Sequence, residues 1–334
     1  MRVLLTGSAG FVGHYILEKI IKDTDWNVVG LERLSYSGNL GRIASIDTNG
    51  RYSAFHHDLK SPIGDLLRNQ IGNVDCIIHV GANSHVDRSI EDPLSFVMDN
   101  VVGTCNILDF ARTQREHLKC FLYFSTDEVF GPAPEGVKYD EYDRYNSTNP
   151  YSATKAGGEE LAVAYRNTYG IPVVITHTMN VFGQRQHPEK FIPKCIRKIL
   201  QNETIEIHSD ETRTIPGSRH YIHAEDVADG VLFILNHSEL YACPGGTSAS
   251  CPKFNLVGPE EVNNLELAQM IASVIGKEPL RYELVDFHSS RPGHDLRYAI
   301  SGERLAKLGW TPKESLRQRI SEVVAWTLEN KMWS

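Results

Sequence analysis

The chain has 334 residues, 41% of them hydrophobic and 23% charged, which supplies a sizeable core and enough charge to dissolve it and excludes a disordered, collagenous or coiled-coil chain. Lysine and arginine total 34 against 42 for aspartate and glutamate, a net charge of -8, so neither nucleic acid nor an anionic membrane is an expected partner and any anion site must be local.

Residues Met1 to Gly7 run directly into a glycine loop and leave no room for the apolar region and cleavage site of a signal peptide, so the expected compartment is the cytoplasm. Short apolar, β-branched runs occur at Val3 to Thr6, Val28 to Glu32, Cys76 to Val80, Phe121 to Ser125 and Val173 to Thr176. Between them, Tyr15 to Lys22, Asn100 to Gln114 and Ala153 to Tyr169 carry apolar residues at three- and four-residue intervals, the period of a helix face. This alternation predicts an α/β fold, a Rossmann-type doubly wound parallel sheet with helices on both faces. Gly157-Gly158 weakens the last of these helices by about 1 kcal/mol per glycine, which points to close approach of another element.

Beyond about residue 180 the rhythm loosens into glycine, proline and histidine punctuation, including Pro188, Pro193, Pro216-Gly217, Pro244-Gly245-Gly246 and Arg291-Pro292-Gly293. This half reads as a smaller, mixed α/β lobe laid against the sheet. Asn264 followed by Leu265, Leu267, Ala268, Ile271 and Val274 reads as a capped helix, and Ile320 to Leu328 as a terminal one. No apolar run approaches the roughly 20 residues of a membrane span.

Six cysteines, Cys76, Cys105, Cys120, Cys195, Cys243 and Cys251, show no CxxC spacing, and several lie in apolar runs. They read as reduced core thiols, with no metal site expected; a bridge or metal at Cys243 and Cys251 is the lesser alternative.

Gly7-Ser-Ala-Gly10-Phe-Val-Gly13 follows a predicted strand and opens a predicted helix. In that context the glycines let the backbone turn tightly and aim helix amides at a pyrophosphate. Glu32 ends the second strand, where a carboxylate can bind the ribose hydroxyls of NAD. Arg33 beside it could hold a 2′-phosphate instead, but Glu32 would repel that group, so NAD is favoured. Asp58, past the third strand, reads either as an adenine contact or as a helix N-cap before Leu59.

Tyr151 and Lys155 stand four apart behind Asn149-Pro150, at the start of a helix, and so project from one face. An ammonium one turn from a phenol is expected to lower its pKa and make it a base able to take a hydroxyl proton while hydride leaves the same carbon. Ser125-Thr126-Asp127-Glu128 follows the fourth strand, at the sheet end where open α/β folds bind ligands. Two adjacent carboxylates there serve as acid and base if their surroundings separate their pKa values.

With TGSAGFVG at 6–13, SHVDRSI at 84–90, STDEVFG at 125–131, YSATK at 151–155, PEKFIP at 188–193 and RPGHDLRYAI at 291–300, the sequence resembles the extended short-chain dehydrogenases/reductases, and within them the nucleotide-diphosphate-sugar 4,6-dehydratases. The resemblance implies that residues 1–178 bind NAD, with the chain returning to that domain around 221–258, and that 179–334 bind the nucleotide sugar. It implies C4 oxidation with Tyr151, Lys155 and Thr126, removal of the C5 proton by Glu128, protonation of the C6 hydroxyl by Asp127, and return of hydride to C6. The implied cofactor contacts are Gly7, Gly10, Phe11, Val12, Gly13, Glu32, Arg33, Asp58, Leu59, Ala82, Tyr151 and Lys155. The implied substrate contacts are Ser84, Thr126, Asn180, Lys190, Phe191, His208, Arg219, Asn255, Arg291 and His294; surface charge is the alternative for Lys190 and His294.

Glu32, Asn83, Val181, Phe130 and Phe182 depart from the family's usual residues, and none removes a catalytic group. His208 replaces a common base-contacting tyrosine and Asp210 to Ser218 looks longer than the family loop, so the base stays open between thymidine, the first expectation, and uridine. A 4-epimerase is the further alternative, disfavoured by Asp127. The resemblance also implies a homodimer built through the helices around Asn100 to Gln114 and Ala153 to Tyr169.

Overall fold

Successive residues of a strand face opposite sides of its sheet, and here both sides are covered. Val3, Leu5, Val28, Ile78, Leu122 and Val174 are buried with Ile16, Leu17 and Ile20, whereas Leu4, Val29, Ile77, Phe121 and Val173 are buried with Ile107, Leu108 and Ala162. A sheet buried on both faces is a parallel sheet with helical crossovers. The computed structural model, which describes residues 1–241, 250–286, 296–330 and 333, has that architecture.

Its strands are β1 (Arg2–Thr6), β2 (Asn27–Glu32), β3 (Tyr52–His56), β4 (Cys76–His79), β5 (Cys120–Thr126), β6 (Val173–Thr178), β7 (Asn180–Phe182), β8 (Ile205–Ser209), β9 (Ser218–His223), β10 (Lys253–Leu256), β11 (Glu261–Asn263) and β12 (Tyr282–Asp286). The main sheet has the order β10-β6-β5-β4-β1-β2-β3. All its pairings are parallel. The chain winds outward from β1 to β3, then from β4 the other way, so the crevice between β1 and β4 opens at the carboxyl ends of the strands.

The crossover helices are α1 (Phe11–Asp23), α2 (Asp65–Ile71), α3 (Val86–Glu91), α4 (Pro93–Phe96), α5 (Gly103–Thr113) and α6 (Pro150–Tyr169). The helix foreseen from Asn100 differs at its start, because Val97–Val102 is a π-helical turn leading into α5. The wider turn frees the Asn100 side chain to bond both backbone groups of Asn83, at 2.8 and 3.0 Å, and Thr154 Oγ1 at 3.0 Å. Close approach at Gly158 is real: a Cβ there would lie 2.9 Å from the Asn100 carbonyl oxygen.

The second lobe is built from α7 (Phe191–Leu200), α9 (Asn264–Ile275) and α11 (Leu316–Glu329) with two small sheets, β11-β9-β7 and β12-β8, while α8 (Ala224–Asn236) and α10 (Glu303–Lys307) pack into the core of the main sheet. Ile192, Ile196, Ile207, Leu267, Ile271 and Ile320 form its core. The cap of α9 is Asn263, one residue before the one foreseen, in a reciprocal capping box with Glu266. Between these elements the chain returns to the main sheet, where β10 extends it beside β6, and α8 packs on α1.

Candidate active site

Each sheet strand from β1 to β6 delivers a short loop to the same crevice. At β1, Gly7 has φ 74°, donates its amide to Leu31 O at 3.0 Å and accepts from Gly10 at 2.9 Å. A Cβ at Gly13 would lie 3.0 Å from Ser8 Cα, so α1 starts directly against the loop. Gly10 is the N-cap of α1 and provides no side-chain cap, which leaves the first helix amides aimed at the crevice.

At the end of β2, Glu32 is buried and its Oε1 accepts from Ala9 N at 2.6 Å and Ser8 Oγ at 2.8 Å. Burial raises its pKa against the pull of those two donors. The carboxylate therefore also ties the glycine loop to β2, a role that the spacing alone did not reveal. Arg33 forks onto Asp99, at 2.6 and 2.9 Å, and reaches Asp58 at 3.5 Å. Asp58 caps no helix, since α2 begins at Asp65; its Oδ1 instead accepts from Lys60 N at 3.0 Å. The helix-cap alternative for Asp58 is thus excluded.

One cleft of about 640 Å³ is lined by Gly7, Gly10, Phe11, Val12 and Gly13, and further by Glu32, Arg33, Asp58, Leu59 and Ala82. Thr126, Asp127, Glu128, Tyr151 and Lys155 line the same cleft, as do Ser84, Asn180, Lys190, Phe191, His208 and Arg219. Asn255 does not belong to this set. It lies on β10, fully buried, with its amide on Ser301 O at 3.0 Å and its oxygen 3.0 Å from His177 Nδ1. On this outer strand of the sheet its side chain holds the segments at Ser301 and Tyr139 against β10. Arg291 and His294, together with Cys243, lie outside the described residues.

The reactive groups meet where β5 ends. Thr126 caps the single turn Asp127–Phe130, accepting from Glu128 N at 3.3 Å and donating to Asp127 Oδ1 at 3.1 Å. Asp127 is 5% exposed. Burial, and then the Glu128 charge, push its carboxyl up to about 7 against the opposing pull of Arg219 and Thr126. Asn149 caps α6 and donates its amide to Glu128 Oε2 at 3.0 Å. The Asn-Pro pair before the helix was the sequence signal for this residue.

Tyr151 and Lys155 do share a face of α6, but the ammonium does not soften the phenol as foreseen. Lys155 Nζ donates to Phe124 O at 2.6 Å and lies 4.4 Å from the centre of the Tyr123 ring. Burial lowers its pKa to about 7. Burial and the charge of Glu128 push the Tyr151 phenol above its ordinary value, while a hydrogen bond to Thr126 pulls the other way. The side chains thus place a hydroxyl relay, Tyr151 to Thr126, between a buried ammonium and a protonatable carboxyl.

Further along the cleft, Arg219 donates to Leu296 O at 2.6 Å, and its guanidinium lies 4.6 Å from the Tyr298 ring centre. Lys194, Tyr221, Asn264 and Tyr298 also line this part; Tyr298 belongs to the 291–300 segment, which does not single it out, and Lys194 and Tyr221 carry no sequence motif. Among the described residues no group of histidine, cysteine and carboxylate side chains could hold a metal, Cys76, Cys105, Cys120, Cys195 and Cys251 are free thiols, and no helix is long and apolar enough to cross a membrane.

A family model described as GDP-mannose 4,6 dehydratase matches residues 4–323. A dTDP-glucose 4,6-dehydratase of Escherichia coli is 33% identical over 100% of this chain and 95% of its own length. One from Xanthomonas campestris pv. campestris is 35% identical, covering 99% and 94%. Among solved structures, DesIV of Streptomyces venezuelae, a dTDP-glucose 4,6-dehydratase with NAD and TYD bound, superposes with a TM-score of 0.86 at 30% identity over 100% of this chain and 98% of that one.

Proposed function

This chain belongs to the nucleotide-diphosphate-sugar 4,6-dehydratases of the extended short-chain dehydrogenase/reductase family, and from that membership we propose that it converts dTDP-glucose to dTDP-4-keto-6-deoxyglucose. The observation that carries the reading is the pair Asp127 and Glu128: adjacent carboxylates in one cleft with Tyr151, the first of them buried and poised near neutrality. Elimination of water across neighbouring carbons needs both an acid and a base at once.

NAD fits the other end of the cleft: the open helix start at Gly10, the cradle at Gly7 and Gly13 that a Cβ would fill, and Glu32 and Asp58 beside it suit a pyrophosphate and an adenosine. Bound there, NAD supplies the hydride acceptor for C4 and the donor for C6, so water is lost without net redox change. Phe11, Val12, Arg33, Leu59, Ala82, Tyr151 and Lys155 complete the set that holds it.

Tyr151, in the phenolate form that its hydrogen bond with Thr126 favours, takes the C4 hydroxyl proton, while Lys155 holds the strand end behind it at Phe124 O. The resulting ketone acidifies C5, and Glu128, steadied by Asn149, removes that proton. Asp127 donates its proton to the C6 hydroxyl, which departs as water. Arg219 and Lys190 neutralise the diphosphate, and Ser84, Asn180, Phe191 and His208 position the sugar and base.

In this reading residues 1–178 and the returning segment 221–258 hold the cofactor, and the rest of 179–334 holds the nucleotide sugar. The protein acts as a homodimer through α5 and α6; Val97 and Met98, in the turn that leads into α5, are exposed apolar residues. Among the described residues the five cysteines are free thiols, which suit a reducing compartment such as the cytoplasm.

Proton NMR in D₂O with dTDP-glucose, and separately with UDP-glucose, tests the proposal without added NAD. A 4-keto-6-deoxy product with deuterium at C5 is the expected result, faster from the thymidine sugar. A C4-inverted sugar overturns it in favour of an epimerase, and a preference for UDP-glucose reassigns the base.

A further inference from the structure

Behind the reactive groups lies a buried ionic cluster that the dehydratase chemistry does not use. Glu159 stands one turn beyond Lys155 on α6 and is fully buried. Its carboxylate accepts from Ser125 Oγ at 2.9 Å, lies 2.8 Å from Lys253 Nζ and 3.2 Å from His177 Nε2, and receives the Tyr145 hydroxyl. Four segments therefore converge on one side chain: β5 through Ser125, β6 through His177, β10 through Lys253, and the loop before α6 through Tyr145.

The geometry on β5 gives the cluster its bearing on the reaction. Phe124 O accepts the Lys155 ammonium at 2.6 Å, and the next residue, Ser125, donates to Glu159 at 2.9 Å. The same peptide unit is thus held at its carbonyl by Lys155 and through its neighbouring side chain by Glu159. Thr126, Asp127 and Glu128 follow directly on the chain, whereas Tyr151 and Lys155 ride on the helix that bears Glu159.

We propose that Glu159 is a positioning residue for the dehydration: it locks the strand carrying Thr126, Asp127 and Glu128 to the helix carrying Tyr151 and Lys155, fixing through Ser125 the peptide whose Phe124 carbonyl holds the Lys155 ammonium, and sets a carboxylate one turn from that ammonium. The role in turnover rests on the dehydratase reading above; the contact itself does not.

The surroundings of Lys155 support the electrostatic half. On its own helix it faces Tyr151 and Glu159, on β5 the Tyr123 ring and the Phe124 carbonyl, and on β4 His79, which burial and the Lys155 charge keep neutral at about 3. Burial draws the ammonium down, and Glu159 is the group that opposes it. Burial would neutralise Glu159 in turn, but His177 and Lys253 outweigh it and hold the carboxyl far below its ordinary range. A buried charge so heavily partnered is costly as mere packing of a sheet against a helix.

The test uses the enzyme as purified, its lysines isotopically labelled at the ε-carbon and titrated by NMR, with Lys155 identified by the signal lost in Lys155→Met. In Glu159→Gln the Lys155 transition moves to lower pH by about one unit or more, and kcat at neutral pH falls about tenfold with KM unchanged. Glu159→Asp, which keeps the charge, moves both back toward the wild type. An unmoved Lys155 transition in Glu159→Gln, with a lowered Tm alone, makes Glu159 a structural residue and overturns the proposal. Should Glu159→Gln fail to fold, Ser125→Ala takes its place: kcat falls severalfold at unchanged KM, and a wild-type kcat there overturns the lock between strand and helix. A wild-type protein inert toward the nucleotide sugar would sink the dehydratase reading, while the NMR titration still judges the tie between Glu159 and Lys155.

Discussion

Asn149 joins Glu128 to the helix that bears Tyr151: its Nδ2 donates to Glu128 Oε2 at 3.0 Å while its Oδ1 accepts from Ser152 N at 2.9 Å. One side chain thereby fixes the distance between the start of α6 and the turn after β5. Asn149→Ala removes both bonds. It should lower stability by about 1 kcal/mol, the value of a helix cap, and slow C5 deprotonation. Asn149→Asp keeps the cap and sets a second carboxylate against Glu128, so Tm should hold while solvent deuterium enters C5 more slowly. Thermal unfolding and the deuterium content of the product separate the two effects.

Glu128→Gln should abolish C5 exchange and cut turnover by roughly 10²–10⁴, the range for a lost general base. C4 oxidation needs Tyr151 and not Glu128, so the variant should accumulate the 4-keto sugar with its C6 hydroxyl in place. Mass spectrometry of the quenched reaction distinguishes that species from substrate and from the dehydrated product.

Asp127, pushed up to about 7 by burial and the neighbouring Glu128, gives two pH signatures. As the acid it must be protonated, so kcat should fall as pH rises through about 7, and Asp127→Asn should lose that limb together with about 10²-fold or more of the rate. For stability, the folded pKa lies above the unfolded one, so the folded state binds the extra proton, and this group costs stability as pH climbs from the unfolded value to about 7. Asp127→Asn should therefore melt above the wild type at alkaline pH, with the difference vanishing in acid. Calorimetry at both ends of the range checks the sign.

Arg33 is committed to Asp99 by both guanidinium nitrogens, and Glu32 stands beside it in the cleft. A 2′-phosphate would meet a carboxylate and an occupied guanidinium, so the protein should bind NAD well above NADP. Asp99→Asn weakens the fork and should narrow that preference by about tenfold, an energy of about 1.4 kcal/mol. Titration calorimetry of the stripped protein with either nucleotide measures it.

Gly158→Ala would drive a Cβ into the Tyr123 hydroxyl and set it 2.9 Å from the Asn100 carbonyl oxygen and 3.1 Å from Thr104 Oγ1, whereas at Gly157 the nearest atom is Val101 Cγ2 at 3.3 Å. The first should cost about 1–3 kcal/mol by overpacking. The second should be far milder, because Val101 is a side chain that can yield and alanine improves helix propensity by about 1 kcal/mol. Denaturant unfolding of the two variants gives the comparison.

The strands, the glycine loop and the crossover helices could be read from the chain because each depends on local chemistry: a period of two or of three to four, a missing side chain, an Asn-Pro start. The pairing of Tyr151 with Lys155 on one face followed from the same period. Where the ammonium goes did not, since Phe124 O comes from another strand. Glu32 marked the end of β2, yet only the turn of the glycine loop brings Ser8 and Ala9 onto its Oε1. The resemblance implied that Asn255 meets the substrate, but it stands on β10, where packing on β6 seals it from the cleft. Local sequence determined which elements form and which groups the strand ends offer. Tertiary structure decided which of those groups are buried together, because burial and charge pairing join residues as distant as Arg33 and Asp99, or Glu159 and Lys253, and such contacts leave no trace in the spacing along the chain.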